Sequence, residues 1–125
     1  MKLRIQGNLL RFRLTQEEVA CLRDRGLVES AIRFSPDRAL SYSVASSPDA
    51  AEVSANYEGD SVRVVLPRAV AAGWAESSQV TVEASRNSDI QILIEKDFQC
   101  LHKPLERDPD AYPHPLAAVK KRSAG

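Results

Sequence analysis

Apolar and polar residues alternate on both sides of a short turn sequence near the start of the chain. The alternating apolar positions are Leu3, Ile5, Leu10, Phe12 and Leu14. A period of two with one apolar face is typical of a half-buried β-strand. The intervening Gly7-Asn8 suits a two-residue hairpin turn, because glycine readily takes the positive φ needed there. The pattern predicts a hairpin in which Ile5 faces Leu10 and Leu3 faces Phe12 on the buried side.

A helix is predicted directly after this hairpin. Thr15 and Glu18 have the spacing of a capping box, in which each side chain bonds the backbone amide of the other residue. Val19 and Leu22 then lie on one helical face, and Gly26 supplies a left-handed stop. Two strands should follow, at residues 27–34 and 40–44, with a turn between them.

The same order of signals occurs a second time. Gly59 to Leu66 repeats the pattern of Gly7 to Leu14, with matching residues Gly7 and Gly59, Arg11 and Arg63, and Leu14 and Leu66. Pro67 replaces the threonine cap, which is tolerated in the first turn of a helix. Val70 and Trp74 form an apolar i, i+4 pair on the second helix, and strands beginning at Val80 and Ile90 follow.

The two repeats, about 2–46 and 51–95, each have the order hairpin-helix-hairpin. One such unit alone would leave open strand edges, whereas two copies can interleave their strands. We therefore predict a mainly β (α+β) fold, a small pseudo-twofold β-barrel that occupies residues 1–98. Residues 99–125 are predicted to form an irregular, acidic, proline-rich extension with a disordered end.

Two resemblances support parts of this interpretation. The opening Met1 to Ile5 with Gly7-Asn8, and the later Ile94 to Phe98 with Cys100-Leu101, resemble a family of small uncharacterised bacterial proteins. That resemblance implies a small bacterial domain and no particular activity. The stretch Arg63 to Pro67, followed by Val70, Trp74 and Val80, more weakly resembles the swapped-hairpin DNA-binding domains of bacterial transition-state regulators and antitoxins.

Composition narrows the class of protein. The chain has 125 residues, of which 43% are hydrophobic, and it carries 17 basic and 17 acidic side chains. Balanced charge argues against a surface dominated by nucleic acid or membrane attraction. No apolar run approaches the ~20 residues that span a bilayer, and no signal peptide is evident. We expect a cytoplasmic protein, monomeric or homodimeric, with Cys21 and Cys100 reduced.

Basic side chains are the first candidate site. Lys2, Arg4, Arg11 and Arg13 should share one hairpin face, where Arg4 opposes Arg11 and Lys2 opposes Arg13. Like charges directly opposite on paired strands repel, so an anionic ligand or nucleic acid would stabilise this face. Arg63 is added as the counterpart of Arg11 in the second repeat. The alternative is that Glu17, Glu29 or acids of the extension pair with these cations, or that water screens them.

A metal site is the second candidate. Cys100, His102 and His114 have side chains that bind zinc, with Asp97, Asp108 or Asp110 available to complete the coordination. Their spacing matches no standard zinc finger, and the alternative is a packed cysteine with solvated histidines. Carboxylates of the extension, with Asp97, could also bind a hard cation, form a solvated linker, or fold back as a mask over the basic hairpin face.

Catalytic motifs are missing from the sequence. There is no Gly-x-Ser-x-Gly, no phosphate-binding glycine loop and no His-Glu-x-x-His. The sequence therefore favours a non-enzymatic binding or regulatory module that contacts an anionic partner through its strand cations. The alternatives are a metal- or small-ligand-binding barrel that uses Cys100, His102 and His114, and a DNA-binding regulator of the swapped-hairpin type.

Overall fold

The computed structural model describes residues 1–84, 89–98 and 112. These residues form a mainly β fold with two helices, as the sequence predicts at this coarse level. The elements in chain order are β1 (Lys2–Gln6), β2 (Leu9–Leu14), α1 (Gln16–Arg25), β3 (Leu27–Ser35), β4 (Arg38–Ser47), β5 (Ser54–Glu58), β6 (Ser61–Pro67), α2 (Arg68–Ala75), β7 (Thr81–Ala84) and β8 (Gln91–Lys96). Of the predicted extension, the structure describes Tyr112, which is exposed.

The described strands form two four-stranded sheets, ordered β1-β2-β8-β7 and β3-β4-β6-β5. Neighbouring strands pair antiparallel except at the centre of each sheet, where β2 runs parallel to β8 and β4 runs parallel to β6. The described strands do not form the predicted closed barrel, because among them the outer strands of each sheet pair on one side alone. Closure is not needed to bury the apolar faces, since a single core cluster draws on both sheets and both helices.

The first hairpin has the predicted register. Leu3 pairs with Phe12 and Ile5 pairs with Leu10 around the turn at Gly7, whose φ is +54°. Phe12 is fully buried, but Ile5 is 62% exposed. Ile5 was predicted to be buried. It lies instead on an edge strand next to the turn, where no second strand of the described structure covers it.

The ends of α1 are also as predicted. The Thr15 hydroxyl accepts a hydrogen bond from the Glu18 amide at 3.3 Å, and the Glu18 carboxylate accepts one from the Thr15 amide at 2.9 Å. At the other end, Gly26 has a φ of +78° and its amide donates to the Leu22 carbonyl at 3.0 Å. Val19 and Leu22 are buried on the inner face, so the cap and the apolar stripe together place α1 against the core.

The second helix packs on the core through Trp74 and Ala71. It follows Pro67, which provides no side-chain cap. Trp74 is fully buried and Ala71 is 2% exposed, whereas Val70 is 39% exposed. The spacing i, i+3 puts Ala71 on the same helical face as Trp74, and the smaller side chain allows the helix to approach the core closely. Of the predicted apolar pair, Trp74 is therefore buried, whereas Val70 is exposed.

Candidate anion-binding site

The four predicted cations of the first hairpin lie together on the outer side of their sheet. Lys2 pairs with Arg13 and Arg4 pairs with Arg11 across β1 and β2. With Leu3, these side chains line a surface cavity of about 140 Å³. We call Lys2, Arg4, Arg11 and Arg13 the basic face. Alternation places it opposite the buried Phe12 and Leu14, so the same pattern that forms the core also gathers the positive charges.

Two carboxylates from the last strand and its end partly neutralise the basic face. Arg13 lies directly beside Glu95 in the parallel pair of β2 and β8. One Glu95 oxygen is 3.0 Å from Arg11 Nε and 3.8 Å from Arg13 Nε. Lys2 Nζ is 3.1 Å from the carboxylate of Asp97. The acids proposed from sequence as counter-charges, Glu17 and Glu29, make no ion pair with these cations in the described part of the chain.

Ion pairing leaves part of the basic face free. Four cations meet two carboxylates, and the Arg4 side chain forms no ion pair or hydrogen bond with the described residues. Arg11 Nε and Glu95 Oε1 are both shielded from solvent at the ion-pair distance, but the direction of the N–H does not satisfy a hydrogen bond. The contact is therefore ionic and leaves both polar atoms under-satisfied, which is unfavourable for buried polar groups.

Arg63 does not join the basic face, because β6 belongs to the other sheet. It lies between Ser43 of β4 and Asn56 of β5 in the strand register, and it is exposed. Arg63 lines a separate cavity of about 470 Å³ with Asn56, Glu58 and Ser61. The neighbouring Ser43 hydroxyl is fully buried and has no hydrogen-bond partner among the described residues. The sequence prediction therefore assigned to one anion-binding site residues that lie on two different sheets.

The predicted metal ligands Cys100, His102 and His114 lie outside the described residues, as do the acids Asp108 and Asp110. Asp97, the described member of the proposed set, is paired with Lys2. Within residues 1–84, 89–98 and 112, no three histidine, cysteine or acidic side chains are grouped to hold a metal ion. The zinc site stays a prediction.

A third cavity, which sequence reasoning missed, lies where α1 begins and β8 ends. It has a volume of about 270 Å³, and its lining residues are Leu14, Gln16, Val19, Ala20, Arg23, Ala75, Lys96, Asp97 and Phe98. Phe98 is 63% exposed beside it. Lys96 Nζ lies 5.7 Å from the centre of the Trp74 ring and donates to the Ser77 carbonyl at 2.7 Å. Residues distant in sequence form this cavity, so no local pattern predicts it.

A family model matches residues 1–116 of the chain. The chain belongs to DUF7009, a family of unknown function. The match includes every described strand and helix and all four residues of the basic face, so these are features of the DUF7009 region itself. Neither the search of curated proteins nor the search of solved structures finds a match. In the described part of this DUF7009 protein, no helix has the length and apolar character to cross a membrane.

Proposed function

We propose that this DUF7009 protein is a non-enzymatic binding module of the bacterial cytoplasm that holds an anionic group on its basic face. The observation that carries the proposal is a cavity of about 140 Å³ with four cations around it and two carboxylates to balance them. The whole chain has equal numbers of basic and acidic side chains. A local excess of positive charge on a neutral protein favours recognition of a particular anion over general attraction to polyanions.

The chemistry of the ligand follows from which cations are free. Arg11 forms an ion pair with Glu95, and Lys2 forms an ion pair with Asp97. Arg4 has no such partner among the described residues, and Arg13 lies 3.8 Å from an oxygen that is closer to Arg11. Guanidinium groups bind phosphate and carboxylate oxygens in a bidentate manner. A phosphoryl group or a carboxylate that contacts Arg4 and Arg13 is therefore the ligand class we assign.

We also infer that the two halves of the chain are related by an approximate twofold axis. Each half contributes two strands to either sheet, and the parallel pair of β2 with β8 has its counterpart in that of β6 with β4. Three pairs of corresponding positions are buried in both halves: Phe12 and Val64, Leu14 and Leu66, and Leu22 and Trp74. Four backbone hydrogen bonds form two matching pairs: Gln91 to Asn8 with Ser41 to Asp60, and Lys96 to Val80 with Ser46 to Gly26.

DNA binding is the second candidate, and the interleaving of the hairpins favours it. In the swapped-hairpin domains that the sequence resembles, hairpins of two units combine into shared sheets, and here each sheet takes strands from both halves. The basic face would then contact phosphates of the duplex backbone. Such binding weakens steeply with salt, because each neutralised phosphate releases counterions.

To separate the two candidates, the full chain is titrated with inorganic phosphate and with duplex DNA at several salt concentrations. Binding is measured from changes in the NMR chemical shifts of backbone amides. We expect Arg4→Gln with Arg13→Gln to weaken binding by about tenfold or more, as the loss of charge-assisted hydrogen bonds implies. Arg38→Gln is the matched control, because Arg38 is an exposed strand arginine of the other sheet. A steep salt slope with DNA and no phosphate binding would favour the second candidate.

The proposal fails if neither phosphate nor DNA shifts the amides of β1 and β2 at low salt. It also fails if Arg38→Gln reduces binding as much as the double variant does. Arg63→Gln adds a further comparison. An effect of that substitution on DNA but not on phosphate would indicate an extended ligand that reaches both sheets.

A further inference from the structure

The longest edge strand of the described sheets projects beyond its sheet. β3 has nine residues, whereas the other edge strands, β1, β5 and β7, have five, five and four. Its partner β4 pairs with β6 from Ser41 onward. Residues 32–40 therefore extend as a two-stranded arm past the end of β6. Every residue from 31 to 39 is exposed.

The arm carries apolar side chains that nothing in the described structure covers. Val28, at the base of β3, is 7% exposed and belongs to the core. Ile32 and Phe34 lie on the same side of the strand by alternation, and they are 49% and 71% exposed. A two-stranded hairpin alone is marginally stable in water, and an unpaired edge with apolar residues is a template for another strand.

The opposite side of β3 carries one charge of each sign. Glu29 and Arg33 are four residues apart and therefore on the same side of the strand. Glu29 makes no ion pair with the described residues. Arg33 uses one terminal nitrogen to donate to the Pro36 carbonyl at 3.1 Å, which leaves other donors of the guanidinium available.

We propose that two copies of this chain form a symmetric dimer in which β3 pairs antiparallel with β3, with Ala31 on the twofold axis. In that register Glu29 lies opposite Arg33 of the second copy, and the same contact occurs twice. On the other side of the strands, Phe34 lies opposite the second copy's Val28. The apolar side chains of the arm, Ile32 and Phe34, then lie beside the core-facing side of β3 in the other copy.

Charge selects this register over its neighbours. Moving the axis by one residue, to Ser30 or Ile32, leaves Glu29 and Arg33 without an opposite charge across the interface. Moving it to Glu29 or Arg33 places like charges directly opposite, which is destabilising. The alternative edge β1 carries Lys2 and Arg4, and charges of one sign are a common protection against edge pairing.

The strand also limits how far the pairing extends. The register of β3 against β4 shifts between Arg33 and Ser35, which marks a bulge at the end of the strand. A bulge bends a strand and interrupts its ladder of hydrogen bonds. Hydrogen-bonded pairing between copies is thus confined to about the segment 29–33, and Phe34 and the second copy's Val28 face each other just beyond its ends. So short a paired segment favours a closed dimer over an open assembly.

Sedimentation equilibrium of the full chain tests the proposal. We expect a dimer for the wild-type protein, and a dissociation constant raised by about tenfold or more in Glu29→Arg and in Arg33→Glu. An equimolar mixture of these two variants should form a heterodimer, because each supplies the charges that the other lacks. The double variant, with both substitutions in one chain, should dimerise alone. Glu58→Arg, on the opposite edge strand of the same sheet, should dimerise as the wild type does.

Far-ultraviolet circular dichroism and the fluorescence of Trp74 confirm that each variant is folded. The proposal is overturned if the wild-type protein is monomeric, if it forms assemblies larger than a dimer, or if the single variants dimerise normally. A mixture of folded single variants that stays monomeric overturns the register. None of these measurements depends on whether the basic face binds an anion.

Discussion

Arg11 of β2 and Glu95 of β8 bring opposite charges to 3.0 Å across the parallel pair at the centre of the first sheet. Both side chains are partly buried, with 30% and 18% of their surface exposed. The contact joins the first hairpin to the last strand of the described fold. It also sets the charge of the basic face, because the same carboxylate lies 3.8 Å from Arg13.

Glu95→Gln should strengthen anion binding at the basic face. The substitution removes a carboxylate that competes with the ligand for Arg11 and Arg13, so we expect affinity for phosphate to rise about fivefold, as a coupling near 1 kcal/mol implies. The free energy of unfolding should fall by about 1 kcal/mol, because Arg11 loses its partner. Phosphate titration and urea unfolding measure the two effects. Glu83→Gln, exposed on β7, is the control, and unchanged affinity in Glu95→Gln would contradict the proposed role of Arg13.

The stability of the protein should depend on the ionisation of Glu18. Burial of the Glu18 carboxyl raises its pKa, but hydrogen bonds from the amino group of Met1 and the amide of Thr15 outweigh burial, so the pKa lies below the ordinary 4.5. A lowered folded-state pKa contributes stability above about pH 4.5. That contribution is lost as the pH falls through the folded-state value.

Glu18→Gln should therefore be less stable than the wild type at neutral pH, by about 1 kcal/mol, because the glutamine keeps the cap but loses the negative charge that the Met1 amino group and the start of α1 stabilise. The difference should shrink as the pH falls below the ordinary pKa, because the wild-type carboxyl then becomes neutral as well. Urea unfolding of both proteins at a series of pH values measures this difference in the free energy of unfolding. Glu17→Gln, an exposed change in the same helical turn, is the control and should change the stability at neutral pH little. A constant difference across the series would assign the effect to packing.

Local patterns predicted the parts of the fold that depend on neighbours in sequence. The hairpin register of Lys2 with Arg13 follows from a two-residue turn and strict alternation. The cap at Thr15 and the stop at Gly26 follow from side-chain chemistry and backbone sterics. Each of these features is decided within a few residues, so no long-range information is needed.

Features that depend on distant strands were not predictable in this way. The alternation of Ile92 and Ile94 places Glu95 on the outer side of its strand, but nothing local says that β8 lies beside β2. The exposure of Ile5 likewise depends on β1 being an edge strand. The basic face was therefore found from sequence, and Asp97 was among the acids considered as its counter-charges, while Glu95 was missed. Helical spacing alone could not choose between Val70 and Ala71 as the partner of Trp74.

Trp74 should report the packing of α2 against β7. The ring is fully buried, and its Nε1 donates to the Val80 carbonyl at 2.9 Å. Because this is the single tryptophan of the chain, intrinsic fluorescence measures its environment alone. Trp74→Phe should lower the free energy of unfolding by about 2 kcal/mol, from the lost side-chain volume and the lost indole hydrogen bond. Chemical denaturation monitored by circular dichroism measures this loss of stability. Tyr57→Phe, at an exposed aromatic, is the control and should change little.

Two glycine substitutions should change stability in opposite directions. A Cβ added at Gly73, inside α2, meets no atom within 4 Å, so Gly73→Ala should raise the free energy of unfolding by about 0.5–1 kcal/mol through helix propensity. At Gly26 the backbone φ is +78° and a Cβ would lie 3.3 Å from the Ser46 hydroxyl. Gly26→Ala should therefore lower the free energy of unfolding by about 1–2 kcal/mol. Thermal and urea unfolding of both variants measure the contrast. Equal effects of the same sign would contradict the left-handed end of α1, because helix propensity alone cannot separate the two positions.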